Sequence, residues 1–167
     1  GYDMAYFGAC LFNSTVLPES QLNMQFFGDV RTISAGVFEG VHAVVHLAAI
    51  SNDPMGARYE DVTLDINLKS TVRIAQLAKG AGARAFVFAS SCSIYGAGED
   101  TPRTEQSELN PLSAYARSKA SAEKALEPLS DDNYKVTCLR FATACGMSQR
   151  LRLDLVLNDF VAGAVAL

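Results

Sequence analysis

An α/β fold built around a doubly wound parallel sheet is the fold class that this sequence predicts. Four apolar runs alternate with stretches of helical periodicity over the 167 residues, and this order is typical of βαβ units. The inner runs, AVVHLAA (43–49) and AFVFASS (85–91), are almost unbroken in their apolar character. Strands of a parallel sheet that is covered on both faces have this composition.

The individual elements follow from the same patterns. Apolar residues at helical spacing and a terminal GAG predict a helix over 59–81, and an alanine-rich stripe after Asn110 and Pro111 predicts one over 113–129. The polar, proline-bearing stretch 97–111 predicts a loop over a site. The predicted strands are 24–28, 43–49, 85–91 and 136–141, and a last helix is predicted over 155–167.

Composition and charge argue against several classes of protein. Hydrophobic residues make up 49% and charged residues 19% of the chain, a globular profile, and the net charge of −4 argues against nucleic acid as a partner. No apolar run approaches the roughly 20 residues of a membrane span, and the N-terminus lacks a signal-peptide pattern. The four cysteines form no CxxC and only two histidines accompany them. We therefore expect no metal site and a reducing, cytoplasmic location.

Candidate catalytic residues follow the apolar runs, because ligands of open parallel sheets bind beyond the carboxyl ends of the strands. Tyr115 and Lys119 are four residues apart and share a helix face. A nearby ammonium favours the ionised phenol, whose unperturbed pKa is about 10. Such a phenol could take a proton from a substrate hydroxyl, while Ser91 hydrogen-bonds the substrate oxygen. The YxxxK spacing also occurs in ordinary surface helices, and a serine after a strand is often only a turn residue.

Six segments in a fixed order resemble one family. They are GDVR (28–31), HLAA (46–49), DINLKST (65–71), SSCSIYG (90–96), YARSK (115–119) and LRFATACG (139–146). In these segments the chain resembles the extended short-chain dehydrogenase/reductases, in the NAD-dependent epimerase/dehydratase group that acts on nucleotide sugars. The resemblance implies a Rossmann-type doubly wound parallel sheet, NAD as the cofactor, a nucleotide sugar as the substrate and assembly into a homodimer or higher homo-oligomer.

The resemblance also implies the roles of individual residues. Tyr115 would be the general acid/base, Lys119 would hold the nicotinamide ribose and lower the pKa of the tyrosine, and Ser91 would complete the catalytic set. Asp29 and Val30 would meet the adenine. The other residues implied at the cofactor are Asp3, Leu47, Ala48, Ala49, Asn67, Ser90, Phe141 and Ala142, and those implied at the substrate are Ser51, Cys92, Ser93, Thr143 and Asn158. For Asn67 a purely structural role in its helix stays open.

The implied reaction is oxidation of the sugar to a keto intermediate, after which an epimerase returns hydride to the other face. A 4,6-dehydratase of this family needs an acidic pair directly after the catalytic serine or threonine, and Cys92 and Ser93 at these positions speak against dehydration. We interpret Cys92 as a packed thiol without a catalytic role. Thr143 stands where several 4-epimerases have an asparagine, which leaves the sugar contacts open. Asp3 favours NAD over NADP because a carboxylate repels a 2′-phosphate.

The glycine-rich motif GxxGxxG does not occur in the sequence, although its backbone amides hold the cofactor pyrophosphate in such folds. We interpret residues 1–3 as the tail of the second strand and expect the chain to begin after a βα unit of roughly 30 residues and to end before the substrate domain. Residues 1–167 would form one partial NAD-binding domain, truncated at both ends, that alone binds NAD weakly and is inactive. The alternatives are a non-catalytic relic that serves as an oligomeric scaffold, and a nucleotide-sugar dehydratase or reductase.

Overall fold

The computed structural model of the protein describes residues 1–10, 21–51, 58–98, 101–146 and 148–166. The chain divides into two compact units, a smaller one of Gly1–Gly28 with Thr143–Leu167 and a larger one of Asp29–Ala142. Each unit contains its own parallel sheet. The organisation of residues 1–167 as one partial domain stays a prediction.

From Ala43 onward strands and helices alternate along the chain, as the sequence predicts. The strands of the described residues are β1 (Tyr2–Asp3), β2 (Phe26–Phe27), β3 (Ala43–His46), β4 (Ala85–Ser91) and β5 (Lys135–Phe141). The α-helices are α1 (Glu60–Leu64), α2 (Thr71–Gly80), α3 (Ala114–Leu126) and α4 (Val156–Ala166). Within the described ranges, no helix is both long enough and apolar enough to cross a membrane.

The smaller unit holds the parallel pair of β1 and β2. Backbone hydrogen bonds frame this pair, from Phe26 N to Gly1 O at 2.9 Å and from Gly28 N to Asp3 O at 3.0 Å. Residues 2 and 3 thus form a strand, as predicted, whereas the strand predicted over 24–28 covers only two residues.

The larger unit is built on a three-stranded parallel sheet in the order β3-β4-β5. β3 pairs with β4 as far as His46 opposite Phe88, and β4 pairs with β5 as far as Ser91 opposite Phe141. The parallel Rossmann-type arrangement is thus confirmed. β4 has the predicted bounds, and β5 begins one residue earlier than predicted.

One face of this sheet is covered by helices. Burial alternates along β4, where Phe86 and Phe88 are completely buried, and the paired His46 of β3 lies on the same side. We call this the covered face. Helix α2 packs against β3 and helix α3 against β4. On the opposite face Val45 and Leu139 are 63% and 40% exposed, so the prediction that both faces are covered is wrong for the described part of this unit.

The predicted helix over 59–81 is confirmed with one irregularity. A π-helical segment, Asp65–Ser70, lies between α1 and α2, and the Ser70 hydroxyl donates to the carbonyl of Asp65 at 2.8 Å. Apolar periodicity gives no signal for this segment because the α-helical pattern continues on both sides of it. Single-turn π segments are frequent at functional sites.

Strand β3 is shorter than predicted. It ends at His46, so that Leu47, Ala48 and Ala49 lie in a loop and not in the sheet. The physical reason lies one residue further on, where both backbone polar groups of Ile50 bond to the side chain of Asn67 and not to a neighbouring strand.

Candidate functional site

Helix α3 carries the two residues of the YxxxK motif. Its N-cap is Ser113, whose hydroxyl accepts a hydrogen bond from Ala116 N at 3.1 Å. Tyr115 lies half-buried in the first turn, and Lys119 follows one turn later, where it is 2% exposed. The helix predicted from the sequence therefore begins at the residue that its capping chemistry favours.

The Lys119 ammonium lies next to the carboxyl-terminal end of β4. Its Nζ donates to the carbonyl oxygen of Ala89 at 2.7 Å. It lies 4.5 Å from the ring centroid of Phe88 and 5.6 Å from that of Tyr115, distances at which a cation is attracted to an aromatic face. Burial lowers the pKa of Lys119 to about 8. A positive charge is thus kept beside the phenol of Tyr115 in a poorly hydrated place.

Ser91 is the last residue of β4 and caps the short 3-10 helix Cys92–Tyr95. Its Oγ accepts from Ser93 N at 3.2 Å and from Ser93 Oγ at 2.9 Å. Cys92 between them is exposed, so its interpretation as a packed thiol is wrong. The reason is that the chain leaves the sheet at Ser91 and directs residue 92 outward.

Ser90 differs from its neighbour because its hydroxyl lies among buried residues. The residue is 4% exposed, and its Oγ has no hydrogen-bond partner among the residues that the structure describes. Buried polar atoms of native proteins nearly always bond to protein, water or ligand. The Ser90 hydroxyl is therefore a candidate contact for a bound molecule.

Asn67, in the π-helical segment, links the loop after β3 to helix α3. Its Oδ1 accepts from Ile50 N at 2.8 Å, and its Nδ2 donates to Ile50 O at 2.9 Å and to Ser118 Oγ at 3.0 Å. The Ser118 hydroxyl in turn donates to the carbonyl of Tyr115 at 2.7 Å. Asn67 is completely buried. Its structural role, left open by the sequence, is therefore observed, and it positions the loop that contains Leu47, Ala48 and Ala49.

A buried histidine extends this network on the covered face. The Nε2 of His46 lies 2.9 Å from Thr71 Oγ1, which donates to the carbonyl of Asn67 at 2.9 Å. The imidazole stacks on Phe88, with 6.2 Å between ring centroids. Burial, and secondarily the charge of Lys119, lower the pKa of His46 to about 4. The imidazole is therefore neutral near pH 7.

Asp29 precedes the 3-10 helix Val30–Thr32 and caps it. Arg31 binds both of its carboxylate oxygens, with Nη2 at 2.6 Å from Oδ2 and Nε at 3.1 Å from Oδ1. These hydrogen bonds lower the pKa of Asp29. An ionised carboxylate in a fixed orientation can accept from the amino group of a base, the contact expected of this residue.

Three expected site residues lie in the smaller unit. Asp3 ends β1, and its carboxylate accepts from Ala5 N. Thr143 is exposed. Asn158 of α4 accepts from Gly146 N at 3.0 Å and donates to Arg152 O at 2.9 Å, so that its amide serves the folding of its own unit.

The remaining expected residues lie at strand ends of the larger unit. Phe141 ends β5 opposite Ser91 and is 50% exposed, and Ala142 and Ser51 are exposed too. A cavity of about 690 Å³ opens at this edge, and its lining includes Cys92, Tyr95, Gly96, Arg140, Phe141 and Ala142. The cavity therefore lies between Cys92 and the end of β5, and Ser91 is the strand partner of Phe141 next to it.

Sequence reasoning missed four residues of the site: His46, Ile50, Thr71 and Ser118. Thr71 is four residues after Asn67, and Ser118 lies between the two residues of the YxxxK pair, so both positions carried a helical-spacing signal. His46 and Ile50 gave none, because a histidine in an apolar run and an aliphatic residue after it fit an ordinary strand.

Comparisons with known proteins assign the chain to a group. Residues 22–165 match the family model described as NAD dependent epimerase/dehydratase family. UDP-glucose 4-epimerase of Lactobacillus helveticus is 32% identical over 111 residues, which are 66% of this chain and 34% of that protein. The uncharacterized UDP-glucose epimerase YtcB of Bacillus subtilis is 30% identical over 138 residues, 81% of this chain and 43% of that protein.

Solved structures also resemble this chain in fold. MoeE5 in complex with UDP-glucose and NAD superimposes with a TM-score of 0.71 at 26% identity, covering 83% of this chain and 47% of that one. The dTDP-glucose 4,6-dehydratase DesIV of Streptomyces venezuelae, with NAD and TYD bound, also has a TM-score of 0.71 at 26% identity, over 89% and 47% of the two chains. The chain spans about a third of the length of the first curated relatives that it matches.

Proposed function

The chain belongs to the NAD-dependent epimerase/dehydratase family, and we propose that it supplies the catalytic side chains for hydride transfer between NAD and a carbon atom of a nucleotide sugar, with epimerisation as the result. The observation that carries this proposal is the ammonium of Lys119, buried and bonded to Ala89 O beside the ring of Tyr115. Burying the charge of an ammonium group costs folding free energy. Such a cost is typical of catalytic sites.

The residues present fit an NAD molecule at the tips of β3, β4 and β5. The Ser90 hydroxyl has no partner within the described residues, where Lys119 Nζ bonds to Ala89 O alone. A ribose diol would satisfy both groups. The Asp29 carboxylate, oriented by Arg31, would accept from the adenine amino group. We also assign Asp3, Val30, Leu47, Ala48, Ala49, Phe141 and Ala142 to the cofactor side.

In the proposed mechanism Tyr115 takes the proton from a sugar hydroxyl. Lys119 favours the ionised phenol by its positive charge, and Ser91 donates a hydrogen bond to the sugar oxygen as its charge grows. Bound NAD supplies the acceptor, and in the reverse step the donor, of hydride. Loss of the proton from the hydroxyl oxygen and of hydride from the carbon that bears it leaves a keto sugar. Return of hydride to the opposite face of that carbon, and of the proton to its oxygen, gives the epimer.

The residues after Ser91 favour epimerisation over dehydration. Elimination of water needs an additional acid and base near the sugar, whereas Cys92 and Ser93 follow Ser91 here. The relatives named as UDP-glucose 4-epimerases support UDP-hexoses as the first substrates to test. On the substrate side we assign Ser51, Cys92 and Thr143, with Asn158 at the substrate phosphates.

The test uses the full-length gene product. It is incubated with NAD and with UDP-, GDP-, CDP- and dTDP-sugars, and the anomeric proton signals of the epimers are followed by NMR. We expect Tyr115→Phe to lower kcat at least about 100-fold and the matched variant Tyr59→Phe, which removes an exposed phenol hydroxyl, to leave kcat within twofold (about the experimental scatter). Turnover that survives Tyr115→Phe unchanged would contradict the proposal, and loss of water from the sugar would replace it by dehydration.

For the 167-residue chain by itself we propose weak NAD binding and no turnover, because its sequence contains no GxxGxxG to hold the pyrophosphate. Calorimetric titration with NAD checks this, and a micromolar dissociation constant would contradict it. We further propose a cytoplasmic homodimer or higher homo-oligomer, which light scattering on the full-length product would detect as a mass of at least two chains.

A further inference from the structure

Ser91 Oγ accepts two hydrogen bonds from Ser93, so its hydroxyl can act towards a substrate only as a donor. A serine hydroxyl has one proton and two lone pairs, and Ser91 Oγ accepts from both the backbone N–H and the hydroxyl of Ser93. Both lone pairs are therefore occupied, and within the described residues the proton of this hydroxyl has no acceptor. We propose that Ser93 is a positioning residue that makes Ser91 a hydrogen-bond donor to the substrate oxygen, an inference that rests on the proposed function.

The turn that holds Ser93 in place is well ordered by its neighbours. Ile94 is completely buried, and Gly96 N donates to the carbonyl of Ser93 at 3.1 Å. Ser91 itself has extended backbone angles, φ −150° and ψ 143°. The position of Ser93 Oγ therefore follows from a packed turn, and replacing its hydroxyl leaves the backbone bond from Ser93 N in place.

A fixed donor suits the chemistry better than a hydroxyl that can rotate. The oxygen of the sugar gains negative charge as its proton leaves, and a donor that already points at this oxygen needs no reorganisation at that moment. Without the Ser93 hydroxyl, one lone pair of Ser91 becomes free, and Ser91 can also accept a hydrogen bond from the substrate hydroxyl. In this second orientation Ser91 does not stabilise the developing oxyanion.

A direct contact between Ser93 and the sugar is the competing explanation, and the two differ in their dependence on Ser91. If Ser93 acts through Ser91, its removal matters only while Ser91 is present. The double-mutant cycle of Ser91→Ala and Ser93→Ala measures this dependence. Ser93→Thr keeps the hydroxyl and should restore the rate.

The experiment measures kcat and KM of the full-length gene product with NAD and the sugar that it epimerises. We expect Ser93→Ala to lower kcat roughly tenfold, the effect of one hydrogen bond, with KM changed less than about twofold. Ser93→Thr should recover most of the rate, and Ser93→Ala should have no effect in the Ser91→Ala background. Equal losses in both backgrounds, or a rise in KM alone, would overturn the inference while leaving the proposed function intact. No turnover by the wild type would overturn the proposed function and this inference with it.

Discussion

The side chain of Asn67 pairs with both backbone groups of Ile50, with 2.8 Å from Ile50 N to Oδ1 and 2.9 Å from Nδ2 to Ile50 O. The Asn67 side chain thus bonds the two backbone groups of Ile50 that a neighbouring strand would bond if β3 continued to this residue. The loop after β3 is thereby tied to the helix that carries Asn67, and through Ser118 to the first turn of α3. The loop after β3 and helix α3 thus share one buried support.

Removing the side chain of Asn67 should lower the free energy of unfolding. Asn67→Ala leaves the two polar groups of Ile50 without their partner and opens a cavity at a completely buried position, so we expect a loss of about 2–4 kcal/mol in the free energy of unfolding. Asn133→Ala, at an exposed position, is the matched control and should change it by less than about 0.5 kcal/mol. Urea unfolding followed by circular dichroism measures both. Equal effects of the two variants would contradict the support.

The buried ammonium of Lys119 should make the protein more stable at alkaline pH. Its pKa is lowered to about 8 in the folded state, against about 10.4 in the unfolded chain. Below pH 8 the folded protein bears the full cost of the buried charge. Between pH 8 and about 10.4 the folded protein releases the proton first, so the cost disappears and the free energy of unfolding rises with pH.

Lys119→Met removes this dependence. At pH 7 we expect the variant to be more stable by about 1–3 kcal/mol and to have lost hydride transfer. Lys124→Met, on the exposed side of the same helix, should leave stability within about 0.5 kcal/mol. Urea unfolding between pH 7 and pH 10 measures the stability of both variants, and the NMR assay of epimerisation measures the loss of hydride transfer. A variant that is less stable than the wild type at pH 7 would show that the lysine stabilises the fold.

His46 should limit stability at acid pH. Its pKa is lowered to about 4 by burial and by Lys119, so between about pH 6.5 and pH 4 the unfolded chain binds a proton that the folded protein does not. The free energy of unfolding therefore falls as the pH is lowered through this window. His46→Gln keeps a polar group for Thr71 but does not titrate, so its stability should be flatter between pH 6.5 and pH 4. His42→Gln, at an exposed position, is the control, and a slope in the His46 variant equal to that of the wild type would contradict the assignment.

The sequence predicts those parts of the fold that repeat and misses those that depend on single side chains. β4 has its predicted bounds because it is paired on both sides along an apolar run. The apolar pattern of Leu47, Ala48 and Ala49 predicts that β3 reaches residue 49, whereas the strand ends at His46 and the carboxamide of Asn67 bonds the backbone of Ile50. The π-helical segment is invisible to periodicity for a similar reason.

In the candidate site, too, the sequence predicts some features and misses those that depend on single side chains. The spacing of Tyr115 and Lys119 and the place of Ser91 after a strand could be predicted from the sequence. The burial of Lys119, the exposure of Cys92 and the bond between Ser93 and Ser91 could not, because each depends on where the chain turns after β4. Such turns are determined by packing contacts between residues that are far apart in the sequence.

Gly96 terminates that turn and should tolerate no side chain. Its φ of +82° and ψ of −149° lie in a region that is essentially restricted to glycine, and a Cβ atom would clash with the carbonyl oxygen of Asn110. Asn110 N also donates to Ile94 O at 3.0 Å, and this bond closes the base of the segment between Gly96 and Asn110. Gly96→Ala should therefore cost at least about 2 kcal/mol and open this base. Gly98→Ala, where a Cβ meets nothing within 4 Å, is the matched control. Urea unfolding measures the loss of stability, and hydrogen exchange at the Asn110 amide measures the opening of the base. If exchange is as slow in Gly96→Ala as in Gly98→Ala, Gly96 does not hold the turn that carries Ser93.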